Sequence, residues 1–175
     1  ITNKILKFFK LRSVILIEDV CESHGATFKN KKLGTYGLMS NFSFYYAHHM
    51  STIEGGMVST NNYEIYQKLR IIRAHGMVRE SNNDKLISKY IKKFNDLNKD
   101  FIFAYPAYNF RSTEINAIIG RNQLKTLDKK IKQRNENHKF FLDNIDKKKY
   151  YTEFDLVGSS NYAFNLILKK PDKKF

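Results

Sequence analysis

The run Val14-Ile15-Leu16-Ile17 passes directly into two acids, Glu18 and Asp19, and this junction constrains the chain more than any other segment. Three of the four apolar residues are β-branched, the composition of a short strand buried on both faces in a parallel sheet. The two carboxylates then fall at the carboxyl end of that strand, where ligands bind in open α/β sheets. An acid at that place has to be paired or ligand-bound, because burying an isolated carboxylate is costly. The alternative is an ordinary helix cap after the strand.

The rest of the chain reads as mixed α/β. Residues 3–11 have helical spacing, with Ile5, Leu6 and Phe9 on the apolar side. Gly34 and Gly37 mark a turn. Asn41–Tyr46 reads as a second strand and Met57–Thr60 as a third, after a turn at Gly55-Gly56. Asn62 can cap a helix running to about His75. Residues 79–100 are Lys/Asn-rich and read as a long surface loop with some helical tendency. An extended stretch around Pro106 leads to a helix starting at Ser112 or Thr113, a basic helix over 127–145, and a last strand at Tyr162–Leu168.

Composition excludes several classes. The chain has 175 residues, 42% hydrophobic, which is enough for a packed core. A lone cysteine, Cys21, rules out a disulfide framework and cannot supply a cysteine-based metal site. No run reaches the about 18 apolar residues of a membrane span. The start Ile1-Thr2-Asn3-Lys4 lacks an initiator methionine and an apolar signal region, so the chain reads as cytoplasmic and as a piece of something longer. The net charge of +14 raises the question of nucleic acid. Its distribution argues for a solvated basic surface instead: no RNP, zinc-finger or GXXG pattern is present, and the aromatics do not interleave with Arg. Between Lys32 and Lys68 there is no Lys or Arg at all, and that stretch carries the densest motifs.

Four segments carry chemistry: Glu18–Gly25, Ser43–Gly56, Arg73-Ala74-His75-Gly76 and Tyr108–Ala117. His48 and His49 are adjacent and point different ways on an extended chain, which makes them poor joint ligands for one metal. A histidine between an aromatic strand and Glu54-Gly55-Gly56 suits acid–base work, since its intrinsic pKa lies near neutrality. Arg73 and Gly76 can simply close a helix, and Ser112-Thr113 can simply start one.

In order, these segments resemble the DegT/DnrJ/EryC1/StrS family of sugar aminotransferases and dehydratases. The resemblance implies the α/β architecture of fold-type-I, aspartate-aminotransferase-like enzymes that use pyridoxal 5'-phosphate or pyridoxamine 5'-phosphate. It implies that residues 1–126 are the C-terminal part of the cofactor-binding large domain and that 127–175 begin the small C-terminal domain, with truncation at both ends. The family pattern has an Asp after a strand, a Ser-Phe pair, a lysine five residues past that Ser, and Glu-Gly-Gly. Asp19, Ser43-Phe44 and Glu54-Gly55-Gly56 match it. The lysine position holds His48.

That departure has a chemical meaning. The family's lysine amine captures the cofactor aldehyde covalently, and imidazole cannot. It can still move a proton. The His-His-Met sequence resembles the 3-dehydratases of deoxysugar synthesis, specifically the branch that needs no iron. The resemblance implies glutamate as amino donor, a nucleotide-linked 4-keto-6-deoxy sugar as substrate, and His48 as the base. It assigns Asp19 to the pyridinium nitrogen, Ser43 to the phosphate, Glu22 to the ring, and Asn109 to the cofactor phosphate of a neighbouring subunit in a homodimer. His75 and Arg111 fall on the substrate side. A sugar aminotransferase, an inactive paralogue and a basic nucleic-acid-binding module are the alternatives.

Overall fold

A computed structural model describes residues 2–170. Helix α1 (Asn3–Leu11) forms where the spacing places it, capped by the Thr2 hydroxyl on the Ile5 N–H. A three-stranded sheet follows, made of β1 (Ile17–Asp19), β4 (Met39–Ser43) and β5 (Gly56–Thr60), in the order β1-β4-β5. β1 and β4 are parallel, while β5 runs antiparallel to β4. The carboxyl ends of β1 and β4 therefore meet the start of β5 at one edge, and the motif residues sit there. Between β1 and β4 lies a small hairpin, β2 (Thr27–Phe28) with β3 (Lys31–Lys32).

The first strand differs from the reading of its sequence. Only Ile17 of the apolar run enters the ladder, and Val14, Ile15 and Ile17 are all exposed. β1 pairs with β4 alone among the described residues, which leaves its other edge open, and Leu16 is the half-buried member of the apolar run. The buried member of β1 is Glu18, 5% exposed. Its carboxylate accepts three backbone N–H groups, from Gly34 at 2.7 Å, Tyr36 at 2.6 Å and Gly37 at 2.7 Å. The loop can wrap the acid this closely because Gly34 adopts φ +91° and because a Cβ on Gly37 would lie 2.5 Å from the Leu16 carbonyl oxygen.

Helix α2 (Tyr63–Ile72) is capped by Asn62 and buries Gln67 and Ile71. Ile71, Ala74 and Val78 are at most 1% exposed and, with Met77 and Ile102, form the packed centre of this half. The stretch expected as a loop holds a full helix, α3 (Asp84–Lys93), capped by Asn83. Its apolar residues Leu86, Ile87, Tyr90, Ile91 and Phe94 are all half-buried at helical spacing; the surrounding Lys and Asn masked a periodicity that was present. Helix α4 (Glu114–Leu124) begins with a capping box of Thr113 and Asn116, and α5 (Leu127–Asn144) follows after a two-residue corner.

The last expected strand does not form a ladder. Tyr162–Leu168 contributes one antiparallel bridge, Tyr150 to Leu168. Phe164 instead stacks on α5, 5.5 Å from His138 and 4.9 Å from Phe141 between ring centroids. Aromatic packing onto a helix replaces strand pairing there.

Candidate functional site

The site grows from the sheet edge. Asp19 ends β1 in register with Asn41 of β4, and the Asn41 side-chain amide donates to its Oδ1 at 2.9 Å. The Cys21 N–H donates to the same oxygen at 3.1 Å, which turns the chain sharply after the strand. The Asp19 carboxyl is held below its ordinary pKa, chiefly by hydrogen bonds from the Cys21 side chain and backbone, with smaller contributions from Asn41 and the field of His48. Asp19 is otherwise open to solvent. It is thus a charged acid fixed by one oxygen, with Oδ2 outside both bonds to Asn41 and the Cys21 N–H.

Ser43 ends β4. Its hydroxyl accepts the Tyr45 N–H at 3.2 Å, and its carbonyl faces Nδ1 of His48 at 3.4 Å. A carbonyl can only accept, so this contact calls for the proton on Nδ1 and leaves Nε2 bare as a proton acceptor. The His48 ring stands edge-on to Tyr45 (5.6 Å), Tyr162 (5.4 Å) and His24 (6.4 Å). His49 turns away. It is 2% exposed, and its Nε2 meets the Ser160 carbonyl at 2.9 Å. Burial, and after it the charge of Arg134, lower its pKa against the pull of that carbonyl.

Three imidazoles converge, since His24 lies 5.8 Å from His49 as well. Among the described residues, however, no group of three His, Cys, Asp or Glu side chains is placed to hold a metal. His24 is 3% exposed with an unpartnered Nε2, and burial, with the fields of His49 and His48, pushes its pKa down to about 4.

The sequence-derived residues fall into separate groups. Asp19, Ser43 and His48 share the sheet edge. Glu22, one turn past Asp19, lines a different cleft of about 490 Å³ with Ser159 and Ser160. Ala74 bridges Asn109, and the His75 N–H donates to the Tyr108 carbonyl at 2.8 Å. This brings His75, Asn109 and Arg111 into one exposed cluster. There Asn109 Oδ1 accepts from both the Arg111 N–H (3.2 Å) and its Nε (3.0 Å).

Two residues of α4 carry a role that the sequence reading missed. The Asn116 amide donates to the Thr52 carbonyl at 2.8 Å, and Gln123 makes a two-way pair with the Ser51 backbone. They lie seven positions apart, on one helix face, and pin the segment that follows His48. That spacing of two carboxamides was a signal available in the sequence. His48 opens on a cleft of about 710 Å³ bounded by α5 and residues 161–164.

The donor set at the edge suits a phosphorylated pyridine: a fixed carboxylate, a strand-end hydroxyl and, five residues after that serine, an imidazole. Comparison with known proteins agrees. The profile of the DegT/DnrJ/EryC1/StrS aminotransferase family matches residues 3–173. The chain belongs to this family. Among curated relatives, GDP-4-keto-6-deoxy-D-mannose 3-dehydratase of Escherichia coli is 40% identical over 169 residues, covering 96% of this chain and 43% of the relative. A solved structure described as the E. coli GDP-4-keto-6-deoxy-D-mannose-3-dehydratase with bound hydrated PLP superposes with a TM-score of 0.82 at 38% identity. It is matched over 98% of this chain and 44% of its own. A second, of GDP-4-keto-6-deoxymannose-3-dehydratase with a trapped PLP-glutamate geminal diamine, has a TM-score of 0.81 at 38% identity, over 98% and 44%. The chain thus spans less than half the length of these DegT/DnrJ/EryC1/StrS relatives, and its mixed α/β fold is that of PLP-dependent aminotransferase-like enzymes. No helix among the described residues is long and apolar enough to cross a membrane.

Proposed function

We propose that the complete protein is a 3-dehydratase of a nucleotide-linked 4-keto-6-deoxy sugar, with pyridoxal or pyridoxamine 5'-phosphate held non-covalently and glutamate as amino donor. The observation that carries this reading is His48, the residue where the family pattern has lysine, with Nδ1 against the Ser43 carbonyl at the sheet edge where Asp19 also ends its strand. When bound, the cofactor supplies an amine for the sugar ketone and a ring that accepts electrons.

The chain's own residues would do the following. Asp19 holds the ring nitrogen protonated, a role its lowered pKa supports. Ser43 donates its hydroxyl to the phosphate. His48 takes the proton from the cofactor's 4-prime carbon on Nε2, since Nδ1 is committed to the carbonyl. The electron pair freed there would expel the hydroxyl of sugar carbon 3, which would leave as water on taking up a proton. Glu22 is the weakest of these assignments, since it lines the neighbouring cleft with Ser159 and Ser160, and its contact with the ring rests on the family resemblance alone. Asn109 reaches the cofactor phosphate of a second subunit, which makes the protein a homodimer, and His75 and Arg111 face the substrate. Residues 1–126 belong to the large domain and 127–175 open the small one, in a cytoplasmic enzyme without a nucleic-acid or membrane partner.

The test uses the complete, cofactor-loaded protein. The expected spectrum shows no visible band that borohydride reduces, and ammonia release from a GDP-4-keto-6-deoxy sugar depends on glutamate. A borohydride-reducible band, or an amino sugar as product, would overturn the reading. The family's aminotransferase members make the second outcome the specific alternative.

A further inference from the structure

The cleft beside His48 has a wall whose charge the proposed chemistry does not yet use. Lys130, Gln133, Arg134 and Asn137 line it. They fall at i, i+3, i+4 and i+7 on α5, a single stripe of the helix. No Asp or Glu lines the cleft. Among the described residues, neither Lys130 nor Arg134 forms a salt bridge. Two like charges at i and i+4 repel and destabilise a helix, whereas on another face of the same helix Lys132 has an opposite charge at that spacing, Glu136 at 3.9 Å. Arg134 is held in place, its guanidinium donating to the Tyr162 carbonyl at 3.2 Å, and its charge reaches His49 across the cleft. The Gln133 amide donates to Asn137 Oδ1 at 2.9 Å, so the amide group of Asn137 remains as a further donor. The volume, about 710 Å³, is within the range of small-molecule sites.

We infer that this stripe of α5 is an oxyanion subsite, in which Lys130 and Arg134 bind the anionic end of a molecule whose reacting end lies at His48. The inference rests on the dehydratase reading for the identity of that molecule. Two anions of that chemistry are available, the diphosphate of the nucleotide sugar and a carboxylate of the amino donor. Either one neutralises the like-charge pair and takes charge-assisted hydrogen bonds from the exposed Lys130 and the half-buried Arg134.

Calorimetric titration of the complete protein with inorganic pyrophosphate and, separately, with glutarate tests the subsite without any reaction. Lys130→Gln, which breaks no hydrogen bond or salt bridge found in the fold, and Arg134→Gln should each weaken one probe by about tenfold or more. Lys129→Gln, on the same helix but outside the cleft, should leave both affinities unchanged. Selective loss of pyrophosphate assigns the subsite to the nucleotide, and selective loss of glutarate assigns it to the donor. Wild-type protein that binds neither probe, or a Lys130→Gln protein that binds both as wild type does, overturns the inference. Turnover separates the two claims. Dehydration with an unchanged KM in the variants removes the subsite and keeps the reaction, while probe binding lost in the variants of an enzyme that never dehydrates does the reverse.

Discussion

Gln123 and the backbone of Ser51 exchange two hydrogen bonds, Oε1 accepting the Ser51 N–H at 3.0 Å and Nε2 donating to the Ser51 carbonyl at 2.8 Å. This reproduces strand pairing with a side chain. It fixes the segment after His48 to a helix from much later in the chain, so the position of the imidazole depends on α4.

Replacing Gln123 by Ala should therefore act on rate more than on binding. Two half-buried backbone groups lose their partners, which costs on the order of 1–3 kcal/mol, measurable as a lowered urea midpoint. The His48 ring loses its fixed position, and we expect kcat to fall at least about tenfold with KM little changed. A kcat equal to wild type would show that His48 is placed without α4.

Glu18 is a structural acid. Glu18→Ala leaves three N–H groups without their acceptor, at roughly 1–3 kcal/mol each, and should unfold the 34–37 loop or the whole chain in modest urea. Glu18→Gln keeps one oxygen, so its loss should be intermediate. The order wild type, Gln, Ala in unfolding midpoint is the expected result.

His24 makes stability depend on pH in a defined window. Its folded pKa of about 4 lies below the ordinary 6.5, so the unfolded chain binds the proton first as pH falls. The stability it contributes is complete above pH 6.5 and is lost progressively down to about 4, by at most roughly 3 kcal/mol. His24→Gln should flatten the profile of urea midpoint against pH in that window. A slope identical to wild type would place the titration elsewhere.

His48→Gln removes the proton carrier and keeps an amide near the Ser43 carbonyl. Turnover should drop by about 10² to 10⁴-fold while cofactor absorbance on equilibrium dialysis stays near wild type. His48→Lys restores a primary amine at that position, and a borohydride-reducible visible band should appear.

Much of the architecture was written in local patterns. The caps at Asn62 and Thr113 and the period of α1, α2 and α5 each follow from residues within a few positions, because helix signals are short-range. The pairing of Asp19, Ser43 and His48 with a family pattern was equally legible, since it depends on spacing along one chain. α3 was missed because its apolar stripe is diluted by Lys and Asn, and the Tyr162–Leu168 strand was over-read because alternation does not say whether a partner strand exists.

The sequence alone determined which chemistry is present: an imidazole in a lysine's position, a strand-end acid, a strand-end serine. Only the tertiary structure decided that the buried carboxylate is Glu18 and the accessible one Asp19, since two adjacent residues on a strand face opposite sides and packing chooses the side. It also decided that Gln123 and Asn116 hold the His48 segment and that Lys130 and Arg134 face it across a cleft. Those relations join residues far apart in the chain, and no local pattern encodes a distance that exists only once the helices have packed.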